Sequence, residues 1–398
     1  MHDNFEILIA GGGIAGMTAA IAFADAGFST LCVDRAPAPN ANKGAETAQD
    51  LRSTAFLAPS VALLEQIGLF QHLRPHAAAL RVMRIADAGG DENEIRQSVD
   101  FVAEEIGAAE FGWNIPNTRI RDVLIDRIAA HPNADLRHGL SVTRLTPRLA
   151  ETIATLSDGP QIRARVVVAA DGRDSQLRSN AGIAAQRTHY GQKANVFSVS
   201  HDRAHDGIST EIHRSGGPFT IVPLAGADQS RSAIVWMESG PEAARLHELP
   251  DAAFLRAANL RSCGVMGTLR DISDRAIWPI VSQRAECLYG DRLALIGEAA
   301  HVVPPIGAQG LNMSLGDIAT LRDLFQGADD IGAPQVLEAY HRRRDADIRL
   351  RVRGIDALNR ASMADAAFLR DLRGMGLRVI AETALKRPLM ALGMGRQH

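Results

Sequence analysis

The chain has 398 residues, 46% of them apolar and 22% charged, which predicts two domains or one elaborated domain with a large core. Its net charge of -3 excludes a general electrostatic attraction to nucleic acid and favours a small-molecule partner. The three cysteines lack the paired spacing of zinc, iron–sulfur or disulfide sites, which fits a reducing cytosol. We expect no signal peptide and no membrane span, while peripheral membrane attachment stays open.

Hydrophobic periodicity predicts alternating strands and helices in the first half of the chain. In chain order the predicted elements are a strand at 5–10, a turn at 11–16, a helix at 17–26, a strand at 30–33, a loop at 37–49, helices at 60–73 and 118–130, a hairpin at 142–145 and 152–156, and a strand at 166–170. The first of these elements form a βαβ unit, the building block of a doubly wound sheet.

The second half of the chain changes character. The residues at 195–237 are β-like, with alternating apolar positions, and predict a separate sheet. Beyond them the predicted elements are a helix at 252–260, a buried strand at 293–296, a helix at 315–325 and a mostly helical segment from 333 onward. Basic clusters in this last segment fit contact with anionic lipid or a partner, but solvated helix faces explain them as well.

A glycine motif lies between the first predicted strand and the first predicted helix. Gly11 permits a tight turn, Gly13 lets a pyrophosphate approach the backbone, and Gly16 lets the helix pack closely on the strand. Ile14 and Ala15 lie between the last two glycines, at the start of the helix. This context favours a dinucleotide site over a merely flexible turn.

An acidic residue, Asp34, ends the second predicted strand about 20 residues after the glycines, where a carboxylate accepts hydrogen bonds from an adenosine ribose. This placement implies a free 2′-hydroxyl, as in FAD or NAD. Arg35 beside it would suit a 2′-phosphate, but a solvated neighbour is the simpler interpretation.

Three further polar residues lie next to the ends of predicted strands and helices and are candidates for ligand binding. Asp171 precedes Gly172 at the end of a buried strand, where glycine permits a sharp turn beside a ligand. Arg52 could reach phosphates or the substrate side of a ring, and a solvated arginine is the competing interpretation. Asn117 could cap the helix that follows it or hydrogen-bond a ligand.

The stretch from Gly297 to Asp317 places glycines and prolines after a buried strand, a pattern typical of a backbone cradle for a ligand. A purely structural turn is the alternative interpretation. Amide groups at the start of the next helix would suit an electron-rich ring or a phosphate. The candidate binding residues of this stretch are Gly297, Glu298, Pro305, Gly307, Ala308, Gln309, Gly310, Leu311 and Asn312.

The histidines give no clear catalytic or metal signal. We interpret His301 as a packed or backbone-bonded histidine rather than a base. His201, His205 and His213 have irregular spacing, so we expect no metal site. No nucleophile motif is present in the sequence either, and the catalytic residues stay unassigned.

The glycine motif, the Asp171-Gly172 pair and the 297–312 stretch, in this order, resemble the single-component FAD-dependent aromatic hydroxylases over essentially the whole chain. In that family the first motif binds ADP, the second serves FAD and nicotinamide binding, and the third surrounds the ribityl chain and the flavin. The resemblance implies an α/β fold of the para-hydroxybenzoate-hydroxylase type, with a Rossmann-like FAD-binding domain, an inserted mainly antiparallel substrate domain and C-terminal helices. The implied boundaries are 1–75, 101–183 and 275–330 for the FAD-binding domain, 76–100 and 184–274 for the substrate domain, and 331–398 for the helices.

Further segments resemble the ubiquinone-biosynthesis hydroxylase branch of that family. They lie at 52–56, 63–69, 211–212, 217–224 and 235–236 and, in the tail, at 340, 343–344, 356–358 and 373–377. Two positions depart from the family pattern. Glu298 stands where the family usually has aspartate, so one extra methylene has to be accommodated. Ala308 stands where the typical Gly-Gln-Gly begins, and Gly307 could compensate for it.

The resemblance implies that NAD(P)H reduces FAD, that reduced FAD takes up O₂, and that a flavin C4a-hydroperoxide hydroxylates an aromatic substrate. The branch implies a polyprenyl phenol of ubiquinone biosynthesis and a cytoplasmic protein, with peripheral membrane or complex association left open. Three alternatives remain: a hydroxylase of another small aromatic compound, a flavin-dependent reductase or dehydrogenase without oxygen activation, and a flavin-binding scaffold subunit.

Overall fold

The computed structural model of the chain describes residues 4–38, 50–88, 94–214 and 216–363. From position 39 onward the predicted loop at 37–49 lies outside these residues, as do the tail resemblance at 373–377 and the end of the predicted helical segment. None of the described helices is long and apolar enough to cross a membrane.

Strands and helices alternate through the first half of the chain and strands dominate the middle. The strands are β1 (Asn4–Ala10), β2 (Thr30–Asp34), β3 (Ser53–Leu57), β4 (Ala78–Leu80), β5 (Val82–Asp87), β6 (Gln97–Val102), β7 (Gly112–Pro116), β8 (Ala134–His138), β9 (Val142–Pro147), β10 (Thr152–Leu156), β11 (Gln161–Ala169), β12 (Ala185–His201), β13 (Ile208–Arg214), β14 (Gly217–Pro223), β15 (Arg231–Ser239), β16 (Leu269–Arg270), β17 (Ala276–Ala285), β18 (Tyr289–Gly290), β19 (Leu293–Leu295) and β20 (His301–Val302). The α-helices are α1 (Ile14–Asp25), α2 (Ala58–Gln66), α3 (Phe70–Leu73), α4 (Asn117–Ala129), α5 (Gln176–Asn180), α6 (Gly240–His247), α7 (Asp251–Arg261), α8 (Gln309–Gln326) and α9 (Pro334–Met363).

The first sheet contains the predicted βαβ unit. Its order is β18-β19-β11-β1-β2-β8, and all neighbours from β19 to β8 are parallel. Ile7, Leu8 and Ile9 are all fully buried. Because successive side chains of a strand point to opposite faces, both faces of β1 are covered, as in a doubly wound sheet. The predicted hairpin of β9 and β10 extends this sheet from β11.

The second sheet is mainly antiparallel and has the order β20-β17-β12-β15-β14-β13-β5-β6. Helices α6 and α7 cover one of its faces, where Phe197, Phe219 and Trp236 pack with Phe254 of α7. The three strands β3, β7 and β4 form a third, small sheet.

The long helix α9 connects the first two sheets. The hydroxyl of Tyr340 donates a hydrogen bond of 2.7 Å to the carbonyl oxygen of Leu295 in the first sheet. The hydroxyl of Tyr190 in β12 donates one of 2.7 Å to Oδ1 of Asp356 in α9. The helix therefore holds the edge of β19 close to the second sheet.

The predicted α/β class, the separate antiparallel sheet and the helical C-terminal segment are confirmed, with differences at element boundaries. The predicted helix at 60–73 is wrong in one respect: it is two helices, because Gly68 has a φ of +63°, which interrupts the helix. Helix α8 begins at Gln309, well before the predicted start at Leu315, and Gly310 of the predicted cradle lies inside its first turn. The periodicity did not predict α6, β5 or β6.

The division into domains stays a prediction. Strands β5, β6 and β12 to β15 belong to one sheet, which supports the grouping of 76–100 with 184–274. Strand β17 pairs with that same sheet, although the prediction assigns 275–330 to the FAD-binding domain.

Candidate functional site

Backbone geometry brings the glycine motif and the Asp171 turn together. Strands β1 and β11 are parallel neighbours, so Gly11 and Asp171, which follow them, lie at the same edge of the sheet. Gly11 has a φ of +112°, and a Cβ on it would overlap the carbonyl oxygen of Ala170 and lie 2.9 Å from the amide nitrogen of Asp171. Conformation and space both exclude a larger residue at position 11.

The third predicted segment reaches the same edge of the sheet. Gly297 follows β19, the neighbour of β11, and has a φ of +59°. A Cβ on Gly297 would lie 3.4 Å from Cβ of Ala15 in α1 and 3.5 Å from Oγ of Ser314 in α8. The turn at Gly297 therefore lies between the first turns of the two helices, and the three motifs surround one place.

Two helices begin at this place with open space in front of a glycine. Gly13 immediately precedes α1, and Gly310 lies in the first turn of α8. A Cβ on either glycine would meet no atom within 4 Å, and among the described residues no side chain caps either helix. The first amides of a helix have no acceptor within it and carry the positive end of its dipole. This donor set fits the pyrophosphate and the electron-rich ring of FAD.

The start of α8 is held by its own polar side chains. Ala308 caps the helix in the left-handed conformation, with φ +56° and ψ +29°. Nε2 of Gln309 donates to the carbonyl oxygen of Gly307 at 3.0 Å. Oε1 of Gln309 accepts a hydrogen bond of 2.6 Å from Arg351 of α9. The predicted cradle is thus a fixed structure, in which Ala308 takes a conformation that favours glycine.

Asn312 fastens the cradle to the third sheet. Its Oδ1 accepts from the amide of Leu57 at 2.9 Å, and its Nδ2 donates to the carbonyl oxygen of Ala55 at 2.8 Å. Leu311 beside it is half-buried, whereas Pro305 is exposed. The side-chain amide of Asn312 therefore binds protein backbone, while the backbone N–H of Asn312 lies in the first turn of α8.

The carboxylate of Asp34 lies against the glycine turn. A Cβ on Gly12 would lie 2.6 Å from Oδ2 of Asp34, so only glycine permits this approach. Oδ1 of Asp34 accepts a hydrogen bond of 2.9 Å from the amide of Ala36. The side chain of Arg35 is exposed to solvent.

One carboxylate oxygen of Asp171 accepts no hydrogen bond from the described residues. Its Oδ2 accepts from the amide of Leu177 at 3.3 Å, while Oδ1 is buried and has no hydrogen-bond partner in the described part of the chain. Buried carboxylate oxygens normally have partners, and a ligand hydroxyl at this edge would supply one. Gly172 adopts the sharp turn expected of it, with a φ of +92°.

Glu298 and Arg52 are partly exposed, and their charges are close enough to interact. The Glu298 side chain is 51% exposed, and its Oε2 lies 3.9 Å from Nε of Arg173. Nε of Arg52 donates to Oδ1 of Asp50 at 2.8 Å, and its guanidinium lies 4.9 Å from the ring centre of Trp278. The hydrogen bond that Arg52 donates to Asp50 raises the pKa of Arg52 in spite of partial burial, and the negative charge of Glu298 adds to this effect.

The capping prediction for Asn117 is wrong. Asn117 is the first residue of α4, Pro116 stands at the cap position, and no side chain in the described part of the chain caps this helix. The amide group of Asn117 is buried: its Oδ1 accepts from Thr54 at 2.8 Å and its Nδ2 donates to Asp50 at 3.0 Å. Asn117 thus supports the carboxylate that holds Arg52, and direct contact with a ligand stays a prediction.

His301 is packed, as predicted, but its partner is a carboxylate rather than backbone. Its Nε2 lies 2.7 Å from Oδ2 of Asp317. Oδ1 of Asp317 accepts from Nε of Arg344 at 2.9 Å, and Oδ2 also accepts from the amide of Gly297 at 3.3 Å. Burial alone would raise the pKa of Asp317, but the charges of His301 and Arg344 outweigh burial and place that pKa below its usual value.

The sequence patterns assign no role to Asp317, Arg344 or Trp278. Asp317 ends the cradle stretch, and Arg344 lies in a tail segment that resembles the hydroxylase branch, so the resemblance was a usable signal for both. Trp278 lies in an ordinary β pattern, where nothing local distinguishes an exposed ring from a packed one.

Comparison with known proteins agrees with this geometry. The sequence pattern of the FAD binding domain family matches residues 4–353. The chain is 34% identical to ubiquinone hydroxylase UbiL of Rhodospirillum rubrum, an alignment that covers 98% of this chain and 89% of that one. It is 28% identical to the 3-demethoxyubiquinol 3-hydroxylase of Escherichia coli, which covers 98% of both.

The fold is shared with a solved structure, the p-nitrophenol 4-monooxygenase PnpA from Pseudomonas putida DLL-E4. The TM-score is 0.77 at 18% identity, and the superposition covers 100% of both chains. The predicted likeness to the ubiquinone-biosynthesis hydroxylases is confirmed by the two full-length relatives. The chain therefore belongs to the FAD binding domain family, and FAD is its cofactor.

Proposed function

We propose that the chain is a monooxygenase that uses FAD, NAD(P)H and O₂ to hydroxylate an aromatic ring, and that its substrate is a polyprenyl phenol of ubiquinone biosynthesis. The observation that carries the proposal is the convergence of three backbone turns, after β1, β11 and β19, at the first turns of α1 and α8. The substrate class is supported by the names of the relatives, a ubiquinone hydroxylase and a 3-demethoxyubiquinol 3-hydroxylase.

In this proposal the amides at the start of α1 hold the pyrophosphate and Asp34 accepts hydrogen bonds from the adenosine ribose. The open acceptor of Asp171 and the carboxylate of Glu298 bind hydroxyl groups of the cofactor. The residues that we propose to bind FAD are Gly11, Gly13, Ile14, Ala15, Gly16, Asp34, Arg35, Arg52, Asn117, Asp171, Gly297, Glu298, Pro305, Gly307, Ala308, Gln309, Gly310, Leu311 and Asn312.

Bound FAD supplies the redox chemistry, which moves electrons from NAD(P)H to O₂ and one oxygen atom to the ring. The residues of the chain bind and orient the cofactor and the substrate, and they shield the reacting ring from water. The positive end of α8 stabilises negative charge on a ring that lies before it. The buried network of Asp317 fixes the turn at Gly297, so this end keeps its position relative to α1.

The face of the second sheet opposite α6 and α7 supports an apolar substrate. Val235 of β15 packs there against an apolar cluster that contains Ile306, and Val303 packs against the same cluster. Val303 and Ile306 lie between the Gly297 turn and α8. A ring between this sheet face and the cradle would be shielded from water. Peripheral contact with a membrane, from which a prenylated substrate could be taken, stays a prediction.

The first experiment is the visible spectrum of the purified protein, followed by oxygen-electrode assays with NADH and NADPH. We expect a flavin spectrum and O₂ consumption that depends on a phenolic substrate. A colourless protein that cannot be reconstituted with FAD would contradict the proposal.

Two further outcomes separate the alternatives. Substrate-dependent NAD(P)H oxidation without O₂ consumption, together with a reduced alkene product, would indicate a reductase. Bound FAD that resists reduction by NAD(P)H even with substrate and partner proteins would indicate a scaffold. Quinone intermediates that accumulate in a deletion strain would then identify the substrate and the ring position.

A further inference from the structure

Two ionisable side chains share the face of the second sheet that is opposite α6 and α7. Ile212 of β13 packs in one apolar cluster with Phe254 of α7. Because side chains alternate along a strand, its neighbours Glu211 and His213 point to the other face. Each of the two residues is only 8% exposed, and Nε2 of His213 lies 2.8 Å from Oε1 of Glu211.

This pair lies on the same row of the sheet as Val235, which packs against an apolar cluster beside the cradle. Glu211 is paired with Thr220 of β14, and Thr220 is paired with Val235 of β15. Val235 packs against the apolar cluster that contains Ile306, a residue beside the cradle. Neighbouring strands are about 4.8 Å apart, so Glu211 lies about 10 Å across the sheet from Val235. That span is about the length of a substituted aromatic ring.

The surroundings of the pair are apolar. Glu211 is also paired with Ile85 of β5, which packs with Val99, Phe101 and Phe111. Nε2 of His213 lies within 2.8 Å of Oε1 of Glu211, but neither ring nitrogen has a partner of full hydrogen-bond geometry within the described residues. Incomplete hydrogen bonding of a buried polar group is costly, and a ligand hydroxyl on this face would supply a partner.

Other charges near the pair are engaged elsewhere. Asp87 of β5 is paired with His213 across the strands, and its carboxylate binds Arg96 at 2.7 Å. Arg261 of α7 lies on the opposite face of the sheet, where it donates to the carbonyl oxygens of Ile212 and Gly217. From α9, which also contacts β13, the buried Asn359 donates to Gln192. Glu211 is therefore the charged group in closest contact with His213.

We propose that His213 is a catalytic residue that accepts the proton of the phenolic hydroxyl of the substrate, and that Glu211 is a positioning residue that balances the imidazolium so formed. In this step the O–H bond breaks and an imidazole N–H bond forms, with no change of oxidation state. The resulting phenolate is a more electron-rich ring, which favours attack on it by an electrophilic oxygen. The division of roles is that of a base and its orienting carboxylate in catalytic triads.

The inference rests on the proposed function, in that it requires a phenol to bind against this sheet face. Its test needs no turnover. The FAD-loaded protein is titrated with para-nitrophenol, whose phenolate absorbs in the visible range, without NAD(P)H and over a range of pH. Difference spectra against the FAD-loaded protein alone report the ionised fraction of the bound probe.

We expect the bound probe to ionise at lower pH than the free probe in wild-type protein. In H213N and H213Q the apparent pKa of the bound probe should rise by about one unit or more, a tenfold change in the ionisation constant. E211Q should shift it in the same direction. His72→Asn and Glu248→Gln are matched controls, because both side chains are exposed and neither residue lies on a strand of the second sheet, and they should titrate like wild type.

A variant is interpreted only if its flavin spectrum and its thermal unfolding midpoint match those of the wild type. Two substitutions at His213 and one at Glu211 are used so that the test does not depend on the folding of a single variant. Wild-type protein that does not bind the probe, or a bound probe that ionises as in free solution, would overturn the inference. A His213 variant that binds the probe and titrates like wild type would do the same. Failure of the proposed function is distinguishable: the probe would shift as expected while no phenol supported O₂ consumption.

Discussion

Nε2 of His301 lies 2.7 Å from Oδ2 of Asp317, and both side chains are almost completely buried. The same carboxylate binds Arg344 of α9 and the amide of Gly297. One side chain of α8 thus holds the turn that follows β19 and the helix that packs across both sheets. The cradle and α9 are therefore coupled through a buried charge, in addition to the hydrogen bond from Arg351 to Gln309.

Replacement of Asp317 by asparagine should destabilise the protein strongly and lower its FAD content. The substitution removes a charge that is completely buried and leaves Arg344 without its main partner, which typically costs about 3–5 kcal/mol. Thermal unfolding and the ratio of flavin to protein absorbance would measure the two effects. Asp323→Asn on the exposed face of the same helix is the control. An unfolding midpoint in D317N equal to that of the control would show that the network contributes no stability.

Acid should weaken the wild type more than D317N. The folded-state pKa of Asp317 lies below its ordinary value of 3.8, so the unfolded state takes up the proton first as the pH falls. The stabilisation by this carboxylate is complete above about pH 5 and is lost as the pH falls through the folded-state pKa. Unfolding midpoints from about pH 7 to about pH 3 should therefore converge for the two proteins. A constant gap between them would contradict the prediction.

Alanine at Gly13 should weaken FAD binding without unfolding the protein. A Cβ there meets no atom within 4 Å, and Gly13 has an extended conformation that alanine adopts. The methyl group would occupy the space before α1, so we expect a loss of affinity of about tenfold or more, about 1.4 kcal/mol. Fluorescence titration of the apoprotein with FAD measures this effect.

The matched comparison is Gly16→Ala, in which the new Cβ would overlap the carbonyl oxygen of Gly11. This variant should fail to fold or lose much of its stability, because the overlap is with backbone. Normal FAD affinity in a folded G13A protein would place the pyrophosphate away from the start of α1.

Substitution of Glu298 by alanine should weaken FAD retention, because a carboxylate at the edge of the cradle would be lost. Glu298→Asp tests the extra methylene, and Glu286→Ala removes an exposed carboxylate nearby as a control. The measurement is the dissociation constant of FAD for each apoprotein. If E298A keeps the wild-type constant, the longer side chain has moved the carboxylate out of contact with the cofactor.

The parts of the site that depend on local backbone geometry could be predicted from the sequence. Gly11 and Gly172 follow buried strands and take positive φ, as the motifs predict. Backbone positions with positive φ can be recognised in a sequence, because few residues other than glycine tolerate them. Parallel strands then bring their carboxyl ends together, so the meeting of the motifs follows from strand order.

Contacts between segments that are distant in the sequence could not be predicted in the same way. The salt bridge of Asp317 with Arg344 depends on the packing of α8 on α9, and the facing of Glu211 and His213 depends on which side of β13 meets α7. Gly316 lies inside the predicted helix, but nothing in the sequence explains a glycine there. A Cβ on Gly316 would lie only 3.1 Å from the guanidinium of Arg344, so glycine permits the close packing of α8 on α9.

Strand order also governs when the cofactor site can exist during synthesis. The first sheet places β1 beside β11 and β11 beside β19, so the turn at Gly11 needs partners that the ribosome makes much later. Until β19 and the start of α8 have emerged, the nascent chain holds the glycine motif and the Asp171 turn without the cradle, and its apolar strands lack a neighbour. FAD bound as we propose therefore stabilises only a chain in which all three segments are present.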